Sequence, residues 1–134
     1  MNRRRRILAV VLIVLAIFVV FCAIAWQYSN RITAIKLRRE KESFEAQITR
    51  ALPPGSDKVR VQHFLDSIRM SYVETGPIAD KTAPDDSIAS VIEATSRDTL
   101  DLPLGSCSTS AKFKFDAHGA LLGYTDWHSC KWVW

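Results

Sequence analysis

The chain opens on an unbroken apolar run. "ILAVVLIVLAIFVVFCAIAW", Ile7 to Trp26, holds twenty residues and no charge. A helix of this length covers roughly the 30 Å hydrocarbon core of a bilayer, so the pattern predicts a transmembrane helix over 7–26. Beyond it, "QYSNRITAIKLRREKESFEAQITRAL" contains neither Gly nor Pro, and Ile32, Ile35, Phe44, Ile48 and Leu52 recur at helical spacing. This predicts a juxtamembrane helix over 27–52, with a charged, solvated stalk at "KLRREKE" and Phe44, Ile48 and Leu52 packed on a folded head. Pro53-Pro54-Gly55 ends it. Ser56 is the expected N-cap of the next helix, 57–69, with Asp57 in its first turn. Val61, Phe64, Leu65 and Ile68 form its single apolar stripe.

The periodicity then changes from helical to alternating. "MSYVE" (70–74) reads as a short strand and "TGPIADKTAPDDS" (75–87) as a loop rich in turn formers. In "IASVIEATSRD" (88–98), Ile92 and Ala94 share one face, and Val91, Glu93 and Thr95 the other. "TLDLPLG" (99–105) reads as a connection. The clearest strand is "CSTSAKFKF": Cys107, Thr109, Ala111, Phe113 and Phe115 alternate with Ser108, Ser110, Lys112 and Lys114. "DAHG" is a hairpin loop with Gly119 free to take positive φ, and "ALLGYTDW" (120–127) returns beside it. Phe115 opposite Ala120 is the simplest register. "HSCKWVW" continues that strand or forms a third segment. The expected fold is α+β, a transmembrane helix followed by a small helix-plus-antiparallel-meander domain over 53–134.

Charge sharpens the topology. The formal net charge is +4, but Arg3, Arg4, Arg5 and Arg6 supply four positive charges before the apolar run. From Ser43 onward nine Lys or Arg face twelve Asp or Glu, so the head is mildly acidic and nucleic-acid binding has no electrostatic support. Arg31, Lys36, Arg38, Arg39 and Lys41 follow the run, offset in part by Glu40 and Glu42. The denser Arg3–Arg6 cluster abuts the run directly and sets the expected orientation, with a cytoplasmic basic tail over 1–6 and the head outside the cytoplasm. Anionic headgroup contact by the first basic residues after the run is a sharper reading of the charged stretch than a plain stalk.

Three forms of that anchor compete. Ala23-Ile24-Ala25 matches a small-x-small cleavage pattern, but the run exceeds the usual signal-peptide core and lacks a polar end. Cys22 follows Phe21 rather than the small residue a lipid-modification signal needs. A retained signal anchor is the preferred reading, with Cys22 an inert apolar residue. The expected address is the bacterial inner membrane, single-pass, with a periplasmic C-terminal domain.

The end of the chain concentrates the candidate chemistry. Cys107 and Cys130 are the best candidates for a disulfide, conditional on an oxidising compartment. In the simple register Cys107 faces residue 128, so a bulge at Gly123 or a turn of the tail is required. Metal ligation is the rival, but the spacing of the two cysteines and scattered histidines fits no zinc pattern. His63 lies on the rim of the helix stripe, His118 at the hairpin tip, and His128 two residues after Asp126. Ser106, Ser108 and Ser110 are near on the partner strand, yet no nucleophile elbow positions them, and no catalytic residue is assigned. Trp127, Trp132 and Trp134 either cover the end of a small core or anchor a partner. An edge strand there would also offer unpaired backbone groups.

"LPPGSDKVRVQHFLDSI" followed by "AKFKFDAHGALLGY" is similar in layout to the outer-membrane assembly small-lipoprotein family (SmpA/BamE-like), across about Leu52 to Tyr124. There too a short Gly-Ser/Thr-started helix with a valine–leucine stripe precedes an "FxFDxxGxL" hairpin. The resemblance implies a fold and an envelope address, and it assigns no functional residue. That family is lipid-anchored through a cysteine, whereas Phe21-Cys22 breaks the lipidation signal here.

The sequence thus points to a membrane-anchored, non-catalytic binding or adaptor module, an accessory subunit of a cell-envelope complex. Its expected partners are membrane lipid and an envelope protein, with no nucleic acid, small-molecule substrate, cofactor or metal. The alternative is a periplasmic inhibitor or immunity-type protein that blocks a toxin or hydrolase.

Overall fold

The computed structural model describes residues 3–76 and 88–132. A single helix, α1 (Arg3–Ala51), runs through both helical segments without a break and begins inside the arginine cluster. Its 49 residues span about 74 Å. No Gly or Pro interrupts it, and Pro53 stops it. The Arg60 guanidinium donates to the Ala51 carbonyl (3.0 Å), which places a cation on the negative end of the helix dipole.

Helix α2 (Lys58–Ser67) follows after a tight turn in which Gly55 takes a φ of +85°. Its N-cap is Asp57, whose carboxylate accepts from the Arg60 amide at 3.0 Å. This corrects the expected cap at Ser56. The Ser56 hydroxyl instead donates to the Pro53 carbonyl, and its own carbonyl accepts from the Leu121 amide. Ser56 is therefore held by the hairpin that returns beneath it.

Five antiparallel strands follow: β1 (Met70–Thr75), β2 (Ser90–Ser96), β3 (Leu100–Leu102), β4 (Gly105–Phe115) and β5 (Leu121–Trp132). β4 is central. β5 lies along one edge of it, and β2 then β3 along the other. Thr95 faces Ser110 and Leu100 faces Cys107, so the chain advances five residues on one side against three on β4. The expected connection over 99–105 thus contains a strand. Three residues of Leu-Asp-Leu before Pro103 are too short an alternation to be seen by periodicity. β1 closes the other side by pairing with β2.

Both helices cover one face of this sheet. Phe44 and Ile48 of α1, Leu52 just beyond its end, and Val61, Phe64 and Leu65 of α2 meet Ile92, Ala94, Ala111, Phe113, Phe115 and Leu121 in one core. These five helical positions and Leu52 are the ones the stripes in the sequence mark. On the opposite face the side chains are mostly hydroxyls and lysines, which is why β4 alternates so strictly. The apolar segment Ile7–Trp26 takes no part in the core and is exposed on every side. Within the described residues it is the helix segment long and apolar enough to cross a membrane.

Candidate functional site

The hairpin joining β4 and β5 sets the register of everything beyond it. The Asp116 amide donates to the Ala120 carbonyl and the Gly119 amide to the Asp116 carbonyl, with Gly119 at φ +77°. The Asp116 carboxylate also accepts from the amides of His118 and Ala120, both at 2.8 Å. Ala120 thereby belongs to the turn, and Phe115 faces Leu121 rather than Ala120. A bulge between Lys114 and Phe115 adds one more residue on β5, so Lys114 faces Gly123. These two single-residue steps sum to the two-residue gap left by the simple register. Cys107 consequently lies directly opposite Cys130, and the two are joined by a disulfide.

The disulfide staples the end of the sheet. Cys107 is fully buried, and the neighbouring Gly105 faces Trp132 with its α-carbon against the Lys131 carbonyl. A Cβ on Gly105 would collide with that carbonyl, so only glycine fits there. Cys22 is a free thiol within the apolar run.

The register also separates the residues of the weighed catalytic arrangement. His128 faces Thr109 and takes the helix side of the sheet, where its Nδ1 lies 3.4 Å from the Thr109 hydroxyl. Ser106, Ser108 and Ser110 project from the other side, because they alternate with Thr109 on the same strand. Asp126 shares the face of His128, but its charge acts on Tyr124. Burial of the Tyr124 phenol raises its pKa above the ordinary 10.0, the charges of Glu45 and Asp126 raise it further, and a hydrogen bond with Thr49 opposes them. His63 is exposed on α2, and His118 is exposed at the hairpin tip. Among the described residues no cluster of three His, Cys, Asp or Glu could hold a metal ion.

Trp127 and Trp132 do not complete the core. Trp127 is 44% exposed and Trp132 43% exposed, and they sit on opposite faces of β5. Trp127 stands over the hydroxyl-rich face, opposite Ser110, and Trp132 is on the helix side at the end of the strand. Trp134 lies outside the described residues.

β5 itself is the most distinctive surface. It has twelve residues and pairs with β4 along its length; on its outer edge Leu121 bonds the Gly55 amide and the Ser56 carbonyl, and beyond Leu121 no strand pairs with that edge among the described residues. The 4.0 Å Cα spacing at Cys107–Cys130 marks a non-hydrogen-bonded pair, so the backbone groups of Cys130, His128 and Asp126 point outward along that edge. At its start lies an apolar cleft of about 220 Å³, lined by Ile48, Leu52, Pro54, Leu121, Leu122 and Tyr124. The bulge places Leu122 half-exposed at its rim. The sequence did not disclose this cleft, because it joins the end of α1 to a strand some seventy residues later. A second cleft, about 300 Å³, opens between α1 and the β2–β3 junction, with Glu40, Gln47, Asp98 and Thr109 in its wall.

No protein-family model, curated protein or solved structure matches this chain, and none bears on the resemblance to the outer-membrane assembly small-lipoprotein family.

Proposed function

We propose that the protein is a single-pass, membrane-anchored binding module whose head docks an extended segment of an envelope protein along β5. The observation that carries this reading is the outer edge of β5 beyond Leu121, which no strand pairs among the described residues, with the apolar cleft at one end and Trp127 along it. Strand addition to such an edge gains main-chain hydrogen bonds, and a pocket beside it selects an apolar side chain. The role is non-catalytic, that of an adaptor or accessory subunit. The apolar half of α1 holds the module in the inner membrane, with Arg3–Arg6 cytoplasmic and the disulfide-bonded head in the periplasm.

A second copy of the chain is a poor occupant of this edge. β5 starts beside Gly55, at the end of α1, and runs back toward the apolar half of the helix. Antiparallel pairing of two β5 strands would send the two anchors in opposite directions, which one membrane does not permit.

The test places a photo-crosslinking residue at Thr125 and, as control, at Val73 on the β1 side of the sheet, in the full chain in cells. The reading expects one partner captured at Thr125 and not at Val73. Asp126→Pro, which removes an outward amide while sparing the bonds to β4, should abolish that capture. Equal capture at both positions, or capture insensitive to Asp126→Pro, would contradict strand addition.

A further inference from the structure

We infer that the end of the sheet nearest the apolar segment is a membrane-docking surface, in which Trp132, Lys131, Lys36 and Arg31 rest on the anionic headgroups of the same bilayer that α1 enters. The inference rests on the anchor reading above.

Its first support is distance along α1. The ammonium of Lys36 donates to the Asp101 carbonyl at 3.1 Å, so the head begins at Lys36. From Trp26, where the apolar run ends, Lys36 is ten residues on, which is about 15 Å of helix. The headgroup layer occupies roughly 5–8 Å beyond the hydrocarbon on each side. A lysine side chain and the electrostatic reach of about 10 Å span the remainder. The charged stretch is therefore not a free stalk over its length, because the sheet overlaps it from Lys36 onward.

The second support is orientation. β4 begins and β5 ends at this same edge of the sheet, since Gly105 faces Trp132 and Asp101 faces Ser106. The hairpin tip at Gly119 lies at the other end, beside the junction of the two helices. Trp132 is thus the described tryptophan of the head that lies at the anchor end of the sheet, and Trp127 is further from it on the opposite face. A half-exposed tryptophan with an apolar body and one polar N–H is suited to the headgroup boundary.

The third support is charge. The head as a whole is mildly acidic, yet this end carries Arg31, Lys36, Arg38, Arg39, Lys41 and Lys131 against Glu40, Glu42 and Asp101. Arg38 pairs with Glu42 and Lys41 with Glu45, which leaves Arg31, Lys36, Arg39 and Lys131 against Glu40 and Asp101 at this end. Basic groups at a membrane surface favour anionic lipid.

The experiment uses the full chain in lipid nanodiscs containing a nitroxide on the phosphatidylcholine headgroup, with and without phosphatidylglycerol. One variant keeps only Trp132 (Trp26→Phe, Trp127→Phe, Trp134→Phe), and a second keeps only Trp127. The expected result is several-fold stronger quenching of Trp132 than of Trp127, increased by phosphatidylglycerol. Lys36→Gln with Lys131→Gln should remove the phosphatidylglycerol increment while leaving the head folded by circular dichroism. Quenching of Trp132 no greater than that of Trp127, in a chain that has inserted, overturns the docking surface alone. No response to phosphatidylglycerol overturns its anionic-lipid component. Failure of the chain to insert at all overturns the anchor reading and this inference with it.

Discussion

α1 is one helix with two different surroundings. From Ile7 to Trp26 every side chain is exposed, although nearly all are apolar. From Phe44 to Leu52 only three apolar side chains are buried, and the rest of the surface is polar. The second half follows the ordinary rule of a helix on a sheet, a single stripe inward. The first half would expose a large apolar surface to water, which soluble domains rarely do. On the proposed anchor, the same backbone geometry answers to two solvents, and the boundary between them lies between Trp26 and Lys36. What differs is hydropathy around the helix, not helix propensity.

Core truncation should separate the two halves most sharply. Phe113 is fully buried between the helices and the sheet, so Phe113→Ala should cost about 3–5 kcal/mol in thermal unfolding of the head. Phe18→Ala, in the apolar run, should leave that unfolding unchanged. Equal losses would mean that the apolar run packs into the head.

Reduction of the Cys107–Cys130 bond comes next. Its sequence separation of 23 residues corresponds to about 3 kcal/mol by loop-closure entropy. A lowering of the melting temperature by at least about 10 °C follows for a head of this size. The exposure of Trp132, measured by quenching in solution, should rise as the strand end frays, whereas the hairpin at Gly119 should keep its amide protection.

A smaller effect is expected at the start of α2. Asp57→Ala removes the carboxylate that caps the Arg60 amide and should cost about 1 kcal/mol. Ser56→Ala tests the correction of the cap: it removes the hydroxyl bond to the Pro53 carbonyl and leaves the Asp57 cap in place. Loss of α2 helicity in Ser56→Ala but not in Asp57→Ala would restore Ser56 as the cap.

The smallest effect is a pH dependence. Burial holds the Tyr124 phenol neutral in the folded head, with its pKa above 10.0. The folded state binds that proton more tightly than the unfolded chain. Its stabilisation is present below pH 10.0 and is lost as pH rises through the higher folded value. Alkaline titration of stability should therefore show a decline that Tyr124→Phe reduces, and an unchanged decline would assign it elsewhere.

These comparisons also show what the sequence could carry. The apolar run, the stripe of α2, the spacing of Phe44, Ile48 and Leu52 and the alternation of β4 are all local periodicities, and each is readable. The register of β5 is legible only in part: the spacing of the cysteines asks for a bulge at Gly123 or a turn of the tail, and the structure has a bulge beside Gly123 together with an Asp116 carboxylate that draws Ala120 into the hairpin turn. Their effects add, and only their sum places Cys130 opposite Cys107. β3 was missed for want of length. The overlap of the charged stretch with β3 was beyond pattern altogether, since Lys36 and Asp101 are 65 residues apart. The separation of His128 from Ser106, Ser108 and Ser110 likewise follows from pairing, not from proximity in the chain.

The division of α1 can be measured directly by cysteine accessibility. In a Cys22→Ala chain the oxidised Cys107–Cys130 pair leaves no native thiol, and single cysteines can be placed at Arg4, Val14 and Arg38. With a membrane-impermeant maleimide, Arg38→Cys should label in cells whose outer barrier is opened. Arg4→Cys should label only after the inner membrane is broken, and Val14→Cys only after detergent. Labelling of Val14→Cys as fast as Arg38→Cys, before detergent, would contradict a helix divided between bilayer and head.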